Sequence, residues 1–297
     1  MGICPNCGSW VDDGDICMNC GGSGSYSYGH DDDLDEIEIN PTYSKRDEYA
    51  NKAWDYYMDF KDEDALYYIN LALDLDDKHS NNWNKKAIIL ESLKRYEESE
   101  KCYNRSLELA KHDVVYDNKA RMLLDWSHQL LEESKELPNG LKKLEEAKNK
   151  ITKAMNALSG DSDEDIDKYI KMRDSINFYI DYETEFQRNL KTLKGYDKSE
   201  LFTITARKFY KNDISLTPSM PLKLVKEPDN EFDTDAIAVY VQDEKIGYVA
   251  NNNYTKYELT SSASELQDKI KDTAQGSYLF YLDRYEKIQF NIGRIIS

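Results

Sequence analysis

A period of 34 residues constrains the fold of this chain more than any other feature of the sequence. Two stretches, 49–75 and 83–109, align without a gap. The aligned pairs are Tyr49 with Trp83, Ala53 with Ala87, Tyr56 with Leu90, Ala65 with Ser99, Ile69 with Tyr103, Ala72 with Ser106, and Leu75 with Leu109. Small side chains let two antiparallel helices approach closely, and large ones fill the space between them. The period therefore predicts stacked helical hairpins and disfavours a plain helical bundle.

This pattern resembles the tetratricopeptide repeat (TPR), a helical hairpin that recurs at the same spacing. The resemblance implies a superhelix with a concave groove for a peptide or a partner protein. We expect the TPR-like domain to span residues 43–193. Because this region is acidic and rich in Tyr, we expect it to bind a basic or extended protein segment and not nucleic acid.

A third, irregular repeat is predicted after the two regular ones. One helix is expected from about Ala120 to Ser134, and a turn is expected at residues 138–140. The following helix carries small and large residues at the spacing of the earlier repeats, namely Ala147, Ile151 and Ala154. A last helix, from Ile166 to about Leu193, is expected to cap the stack. Its predicted inward-facing residues are Ile170, Ile176, Ile180 and Phe186.

The C-terminal part contains a polar, turn-rich loop followed by a strand pattern. Residues 227–235 read Glu-Pro-Asp-Asn-Glu-Phe-Asp-Thr-Asp, a strand is predicted from Ala236 to Val241, a turn at residues 243–244, and a return strand from Lys245 to Val249. This order of residues resembles the HIRAN domain, a small β-barrel similar to OB and SH3-like folds. The resemblance implies such a domain over 199–297. The remaining strands are expected at 201–210, 222–226, 278–283 and 287–296, with one helix at 262–271.

In DNA-binding members of the HIRAN family, the domain holds single-stranded ends, and the resemblance implies which residues would do so here. The family's basic-aromatic pair matches Lys208-Phe209, which Arg207 and Tyr210 flank. Its aromatic-acid pair matches Phe232-Asp233. The two Phe rings would stack on bases, the cations would meet a phosphate, and the carboxylate would accept a hydrogen bond from a free 3′ hydroxyl. The alternative is structural: Phe232 would pin the loop to the barrel, and Asp233 would cap a turn.

Charge weighs against general affinity for nucleic acid. The chain has a formal net charge of −18, and phosphate contacts require Lys and Arg. Residues 200–297 hold 12 basic and 15 acidic side chains, so most of the surplus acid lies elsewhere. Arg207, Lys208, Lys211, Lys223 and Lys226 either form a local basic face or are scattered over the surface. The family pattern is also altered: Ala206 replaces a usual glycine, Phe232 a usual tyrosine, and residues 251–253 (Asn-Asn-Asn) usual basic residues.

Four of the five cysteines form two C-x-x-C pairs near the N-terminus: Cys4, Cys7, Cys17 and Cys20. In each pair, two thiolates from one tight turn can reach a single tetrahedral ion. We expect residues 1–22 to form a zinc ribbon with one structural Zn²⁺ per chain, and the metal to supply the folding energy of so short a segment. An iron–sulfur site would also accept four thiolates. A redox pair would need a βαβ context, and disulfides are unusual in the cytosol. Cys102 is expected to be a buried free thiol.

Residues 23–42 are predicted to be a flexible linker, because a Gly/Ser-rich stretch precedes a run of acidic residues. The chain shows no apolar run long enough for a membrane span and no secretory signal pattern, so we expect a cytoplasmic location. It has no phosphate-binding G-x-x-x-x-G-K-[ST] loop and no H-E-x-x-H motif. We therefore expect it not to be an enzyme.

Together these patterns predict a multidomain α+β protein with a zinc ribbon, an all-α TPR-like repeat and a C-terminal small β-barrel. The predicted function is that of a non-catalytic adaptor. The HIRAN-like domain would bind single-stranded DNA ends, and the TPR-like domain would recruit a partner in DNA repair, replication or defence, with helicases and nucleases among the candidates. The alternative is a scaffold that contacts only proteins and uses the zinc ribbon structurally.

Overall fold

The structure is a computed structural model of the 297-residue chain. It describes residues 2–3, 10–11, 41–158, 166–210 and 214–296. Strands β1 (Gly2–Ile3) and β2 (Trp10–Val11) pair antiparallel, with Ile3 opposite Trp10. The four paired cysteines and residues 23–40 of the predicted linker lie outside the described residues, so the zinc ribbon stays a prediction, whereas the last two linker residues, 41 and 42, are helical.

The chain divides into two compact units. The first comprises Met1–Ser134 and Lys142–Asn177, and the second comprises Lys135–Leu141 and Phe178–Ser297. This division falls inside the last long helix, whereas the sequence patterns place the domain boundary after that helix ends. The second unit thus holds the barrel, the end of one helix and a connecting segment.

Seven helices precede the barrel in the described part of the chain. They are α1 (Pro41–Met58), α2 (Asp62–Leu75), α3 (Ser80–Ser92), α4 (Tyr96–Leu109), α5 (Asp113–Glu136), α6 (Leu141–Ala157) and α7 (Ile166–Lys194). The structure therefore confirms the predicted fold class, a helical region followed by a β-barrel in one α+β chain.

The positions that define the sequence period lie at helix contacts. The small residues of both hairpins, Ala53 with Ala87, Ala65 with Ser99 and Ala72 with Ser106, are all buried, and so are Ile69 and Tyr103. Where Ser replaces Ala, its hydroxyl is used: Ser99 donates to the Ala87 carbonyl (2.8 Å) and Ser106 to the Ser80 carbonyl (2.9 Å). The period thus records close helix approach, with hydrogen bonds offsetting the burial of the two hydroxyls.

The irregular third hairpin follows the prediction in part. Helix α5 begins earlier than expected, whereas α6 buries Ala147, Ile151 and Ala154 as predicted. In α7, Ile176 and Phe186 are buried, whereas Ile170 and Ile180 are only half-buried. Tyr169, which the sequence reading missed, is fully buried. The buried face of α7 is therefore rotated slightly around the helix axis relative to the predicted one.

The second unit contains a closed six-stranded antiparallel barrel. Its strands are β3 (Leu201–Thr205), β4 (Pro221–Lys226), β5 (Ile237–Val241), β6 (Glu244–Val249), β7 (Thr273–Arg284) and β8 (Ile288–Ile296). Around the barrel they are ordered β3-β6-β5-β4-β7-β8. The buried core includes Phe202, Leu224, Val239 and Ile246.

Three predicted elements need correction. The first strand ends at Thr205 and not at Tyr210, because Ala206 adopts a left-handed conformation (φ 61°) and turns the chain into a 3₁₀ turn at Arg207–Phe209. The β5–β6 turn uses residues 242–243, one residue earlier than predicted. Helix α8 (Ala263–Leu266) is a single turn with a capping box between Ser262 and Glu265.

Two glycines let the barrel close. A Cβ on Gly293 of β8 would lie 2.4 Å from the ring of Phe202, and one on Gly247 of β6 would lie 2.3 Å from the Thr205 carbonyl oxygen. At both positions strand β3 approaches its neighbour so closely that only a residue without a side chain fits. Across the described residues, every helix is too short or too polar to cross a bilayer.

Candidate nucleic-acid interface

A pocket of about 250 Å³ lies at the barrel surface where β3 ends. Three parts of the chain form it: the end of β3, the loop at 227–236, and the end of strand β6 (Glu244–Val249) with the segment that follows it. The lining residues are Thr205, Ala206, Asn230, Phe232, Asp233, Ala236, Tyr248, Val249, Asn251, Asn252 and Thr255. The structure therefore brings the predicted Phe232-Asp233 pair to a concave site.

Asn230 holds the loop that carries this pair. Its Oδ1 accepts hydrogen bonds from the backbone amides of Phe232 (3.0 Å) and Asp233 (3.3 Å). Its Nδ2 donates to the Tyr248 hydroxyl (3.3 Å) and to Glu227 (3.2 Å). The Asn230 side chain thus forms an Asx turn with the Phe232 amide and also ties the loop to Glu227 and to Tyr248 of strand β6.

A charged cluster supports Asn230 from the barrel side. The Tyr248 hydroxyl donates to Glu227 Oε2 (3.0 Å) and accepts from Lys245 Nζ (3.2 Å), while Lys245 also pairs with Glu227. Burial would raise the pKa of Glu227, but hydrogen bonds from Lys245, Tyr248 and Asn230 outweigh burial and lower it. Glu227 therefore balances the charge of Lys245, and the pair helps to hold the loop in place.

Phe232 does not pack on the barrel. Its side chain is 95% exposed, although it borders the pocket. Since Asn230 already fixes the loop, pinning does not explain an aromatic residue at this position. An exposed ring beside a pocket, on a loop whose backbone is held by hydrogen bonds, is an arrangement that base stacking uses.

The carboxylate of Asp233 already accepts two hydrogen bonds within the protein. Its Oδ1 accepts from the Asp235 amide (2.9 Å), as the turn-capping alternative predicts, and its Oδ2 accepts from Asn251 Nδ2 (2.9 Å). Asn251 in turn accepts from the amide (2.9 Å) and hydroxyl (2.6 Å) of Ser264. A carboxylate oxygen has more than one lone pair, so Asp233 can still accept from a ligand. The two bonds hold it in place on the pocket wall.

The side chains of Arg207 to Tyr210 have different surroundings in the structure. Arg207 turns away from the pocket and donates to the Ile214 carbonyl (2.9 Å). Phe209 is 73% exposed, and the Lys208 ammonium lies 5.2 Å from its ring centroid. The Tyr210 ring lies 6.1 Å from that of Tyr248, and burial together with a hydrogen bond to Tyr248 raises the pKa of Tyr210 to about 12. None of these four residues lines the pocket, although Lys208 and Phe209 are exposed.

The sequence reading missed the segment after β6. Asn252 Oδ1 accepts from the amides of Tyr254 and Thr255, and both Asn252 and Thr255 line the pocket. Tyr254, between them, is 96% exposed. The Asn-Asn-Asn-Tyr run was the available signal, because such residues favour tight turns that present the next side chain.

Replacing Ala206 by Gly is expected to stabilise the barrel by about 0.5–1 kcal/mol. A residue with a Cβ is strained in the left-handed region, and glycine removes that strain at some cost in unfolded-state entropy. Ala250, in the same barrel but fully buried and with an ordinary φ, is the control, and Ala250→Gly should destabilise because it also removes a buried methyl group. Hydrogen exchange of the β3 and β6 amides measures both changes. Slower exchange in neither variant, or in Ala250→Gly alone, would contradict the strain at Ala206.

Carboxylates dominate the pocket loop. Glu227, Asp229, Glu231, Asp233 and Asp235 all fall within nine residues. Among the described residues, no group of three or more His, Cys, Asp or Glu side chains is arranged to hold a metal ion. The loop can therefore neutralise few phosphates, and any nucleic-acid contact here has to depend on stacking and hydrogen bonds.

Residues 199–271 match the family model of the HIRAN domain. The chain therefore carries a HIRAN domain, and the loop and strands that form the pocket lie within it. A curated relative is an uncharacterized protein of Methanocaldococcus jannaschii, 42% identical over 50 residues. That match covers 17% of this chain and 58% of the relative, so the chain spans little more than half of the relative's length.

Solved structures with partial likeness are those of the type III secretion translocator chaperone SycD from Yersinia enterocolitica. One SycD structure has 14% identity to this chain and a TM-score of 0.33; the match covers 46% of this chain and 94% of the SycD chain. Another, in complex with a peptide of the translocator YopD, has 15% identity and a TM-score of 0.32, with 44% and 92% coverage. Both TM-scores are too low to define the fold of this chain.

Proposed function

We propose that the HIRAN domain of this protein binds the ends of single-stranded DNA at the pocket of Phe232 and Asp233. The observation that carries this proposal is the Phe232 ring, which is 95% exposed on a loop that Asn230 holds rigidly. An aromatic ring that contributes nothing to packing is available for a base. Phe209 and Tyr254, also exposed, offer further stacking surfaces.

Asp233 gives the site its preference for ends. A carboxylate accepts a hydrogen bond from a 3′ hydroxyl, and it repels a phosphate at the same place. An internal nucleotide offers a phosphodiester there and no hydroxyl. The acidic loop therefore favours a terminal nucleotide and lowers the overall affinity, so micromolar binding is the expected scale.

Phe232→Ala is expected to weaken binding of a 3′-overhang oligonucleotide by about 1–3 kcal/mol, since one stacked base is lost. Stability should not change, because the ring is exposed. Phe60→Ala is the matched control: it removes a Phe that is 92% exposed in the helical region. Fluorescence anisotropy with a labelled oligonucleotide measures both variants.

The proposal on Phe232 fails if both variants bind as the unmodified protein does, or if both lose the same affinity. A loss confined to Phe232→Ala, with unchanged hydrogen exchange of the barrel amides, is the expected result. The same titration at two salt concentrations should show a shallow dependence, because few phosphate charges are neutralised.

The helical region is proposed to recruit a protein partner, with helicases and nucleases among the candidates. Its surplus acid favours a basic or extended segment and disfavours nucleic acid. The N-terminal Cys4, Cys7, Cys17 and Cys20 are proposed to hold one structural Zn²⁺, because four thiolates suit a closed tetrahedral shell. With a closed shell and no motor motif, the protein would act in the cytoplasm as an adaptor and not as an enzyme.

A further inference from the structure

A second cavity, of about 390 Å³, lies within the barrel unit between the end of α7 and strand β7. It shares no lining residue with the DNA pocket. Its volume falls in the range of ordinary ligand sites. Helix α7 contributes Tyr182, Glu185 and Phe186 to its wall, and β7 contributes Phe280, Tyr281 and Asp283.

Five of the ten lining residues are aromatic, and packing fixes the positions of several of them. Phe186 is buried and Phe280 packs against the same core, so both form a firm floor. The Tyr182 ring stacks on Tyr285 with centroids 5.5 Å apart, and its hydroxyl accepts a hydrogen bond from the Tyr285 amide (3.3 Å). Tyr281 is 46% exposed and lies at the rim. The electron-rich faces of such rings attract cations.

Two carboxylates border the same cavity. Glu185 is exposed and forms no ion pair within the described residues. The Oδ1 atom of Asp283 is shielded from solvent, and no donor in the described part of the chain reaches it. A buried acceptor without a donor is unfavourable, and a cationic guest would supply the missing hydrogen bond. Burial, a hydrogen bond to the Asp283 carboxylate and the charge of that carboxylate raise the pKa of Tyr182 to about 12, so it is only the Oδ1 atom of Asp283 that has no partner within the described residues.

We propose that this cavity receives an arginine side chain from a basic segment of a partner protein. The aromatic floor would take the flat face of the guanidinium, and the carboxylates Glu185 and Asp283 would accept its hydrogen bonds. Arginine fits better than lysine because its planar, weakly hydrated group stacks on rings and pairs with carboxylates at the same time.

Charge separates this proposal from nucleic-acid binding. The two carboxylates would repel a phosphate, and a purely apolar guest would leave the buried Asp283 oxygen without a donor. Burial raises the pKa of Tyr278, which also lines the cavity, to about 12, although the charge of the nearby Arg207 opposes this shift. Arg207 donates to the Ile214 carbonyl. The inference concerns a different face of the barrel from the DNA pocket and does not depend on it.

The test titrates the full ¹⁵N-labelled protein with a capped Gly/Ser peptide that carries one arginine, and with the same peptide carrying citrulline. Citrulline has nearly the shape of arginine and no charge. Amide shift changes are expected at Glu185, Tyr281 and Asp283 with the arginine peptide. Glu185→Gln should weaken that binding by roughly threefold or more. Asp181→Asn removes the same charge from an exposed position on the same helix, outside the cavity, and should leave binding unchanged.

Any of these results of the peptide titration would overturn the proposal: equal shifts with arginine and citrulline, shifts centred away from the cavity, or equal losses from Glu185→Gln and Asp181→Asn. Phe232→Ala should bind the arginine peptide as the unmodified protein does. If a single-stranded oligonucleotide displaced the peptide from the cavity residues, the site would belong to nucleic acid and the proposal would be wrong.

Discussion

Replacing Arg284 by Met should destabilise the barrel unit by about 3–5 kcal/mol, the usual cost of leaving a buried charge without its partner. Arg284 donates from Nε to Glu183 Oε2 (3.0 Å) and from Nη2 to Glu183 Oε1 (3.2 Å) and to the Leu137 carbonyl. The Glu183 side chain is 0% exposed. Methionine keeps the bulk of the side chain and removes the charge, so the loss should reflect the ion pair.

Lys287→Met is the matched control for this prediction. Lys287 lies in the same β7–β8 hairpin and pairs with Glu136 at 2.9 Å, but both side chains are mostly exposed. Exposed pairs contribute about 0–1 kcal/mol. Hydrogen exchange of the β7 and β8 amides measures both variants. Tryptophan fluorescence would not, because all four tryptophans precede residue 127. Similar exchange in the two variants would contradict a special role for the buried pair.

The pH dependence of this contribution has a definite sign. Burial would raise the pKa of Glu183, but hydrogen bonds from Arg284, Gln187, Tyr285 and the Gly140 amide outweigh burial and lower it. A carboxyl with a depressed pKa in the folded state stabilises the fold above its unfolded pKa. The stabilisation should therefore be complete at neutral pH and be lost as the pH falls below the ordinary Glu value of 4.5. Arg284→Met should show much less of this loss.

Removal of the metal is expected to have the other large effect. Structural zinc in short cysteine-ligated segments contributes about 10–16 kcal/mol of apparent binding energy, so residues 1–22 should unfold without it. Elemental analysis of protein purified without chelator should give one zinc per chain. Cys17→Ser should lose the metal and leave the barrel amides protected. Cys102→Ser should retain it, because Cys102 is buried and burial raises the pKa of its thiol to about 11.

Protein that contains no zinc would contradict the ribbon, and iron with visible absorbance would redirect the assignment to an iron–sulfur site. Chelation that also exposed the β7 and β8 amides would show that the metal supports more than its own segment.

The helical region could be predicted because its period is a packing requirement. Each aligned small residue lies where a larger one would push two helices apart, so spacing alone located Ala53, Ala87 and Ser99 correctly. The barrel loop was predictable for a similar reason: Asn230 and Asp233 each bond to a backbone amide two residues on, and sequence spacing fixes such bonds.

The failures came from local strain and long-range contacts. Ala206 adopts a left-handed conformation that the strand pattern of residues 201–210 did not indicate, so the first strand was predicted too long. Likewise, the bond from Arg284 to Glu183 joins residues 101 positions apart, and nothing in the pattern of either element indicates it. The cavity between α7 and β7 depends on the same distant contacts.

The most direct test of end recognition compares the affinity of the protein for a 3′ hydroxyl end with its affinity for a 3′ phosphate end. An oligonucleotide with a 3′ hydroxyl and the same oligonucleotide with a 3′ phosphate should be titrated against the full protein. One charge-assisted hydrogen bond contributes about 1.5–3 kcal/mol, so the hydroxyl form should bind roughly tenfold tighter or more. Asp233→Asn, which keeps an acceptor for the Asp235 amide, should reduce that preference. Equal binding of the two oligonucleotides by the unmodified protein would contradict recognition of the 3′ end.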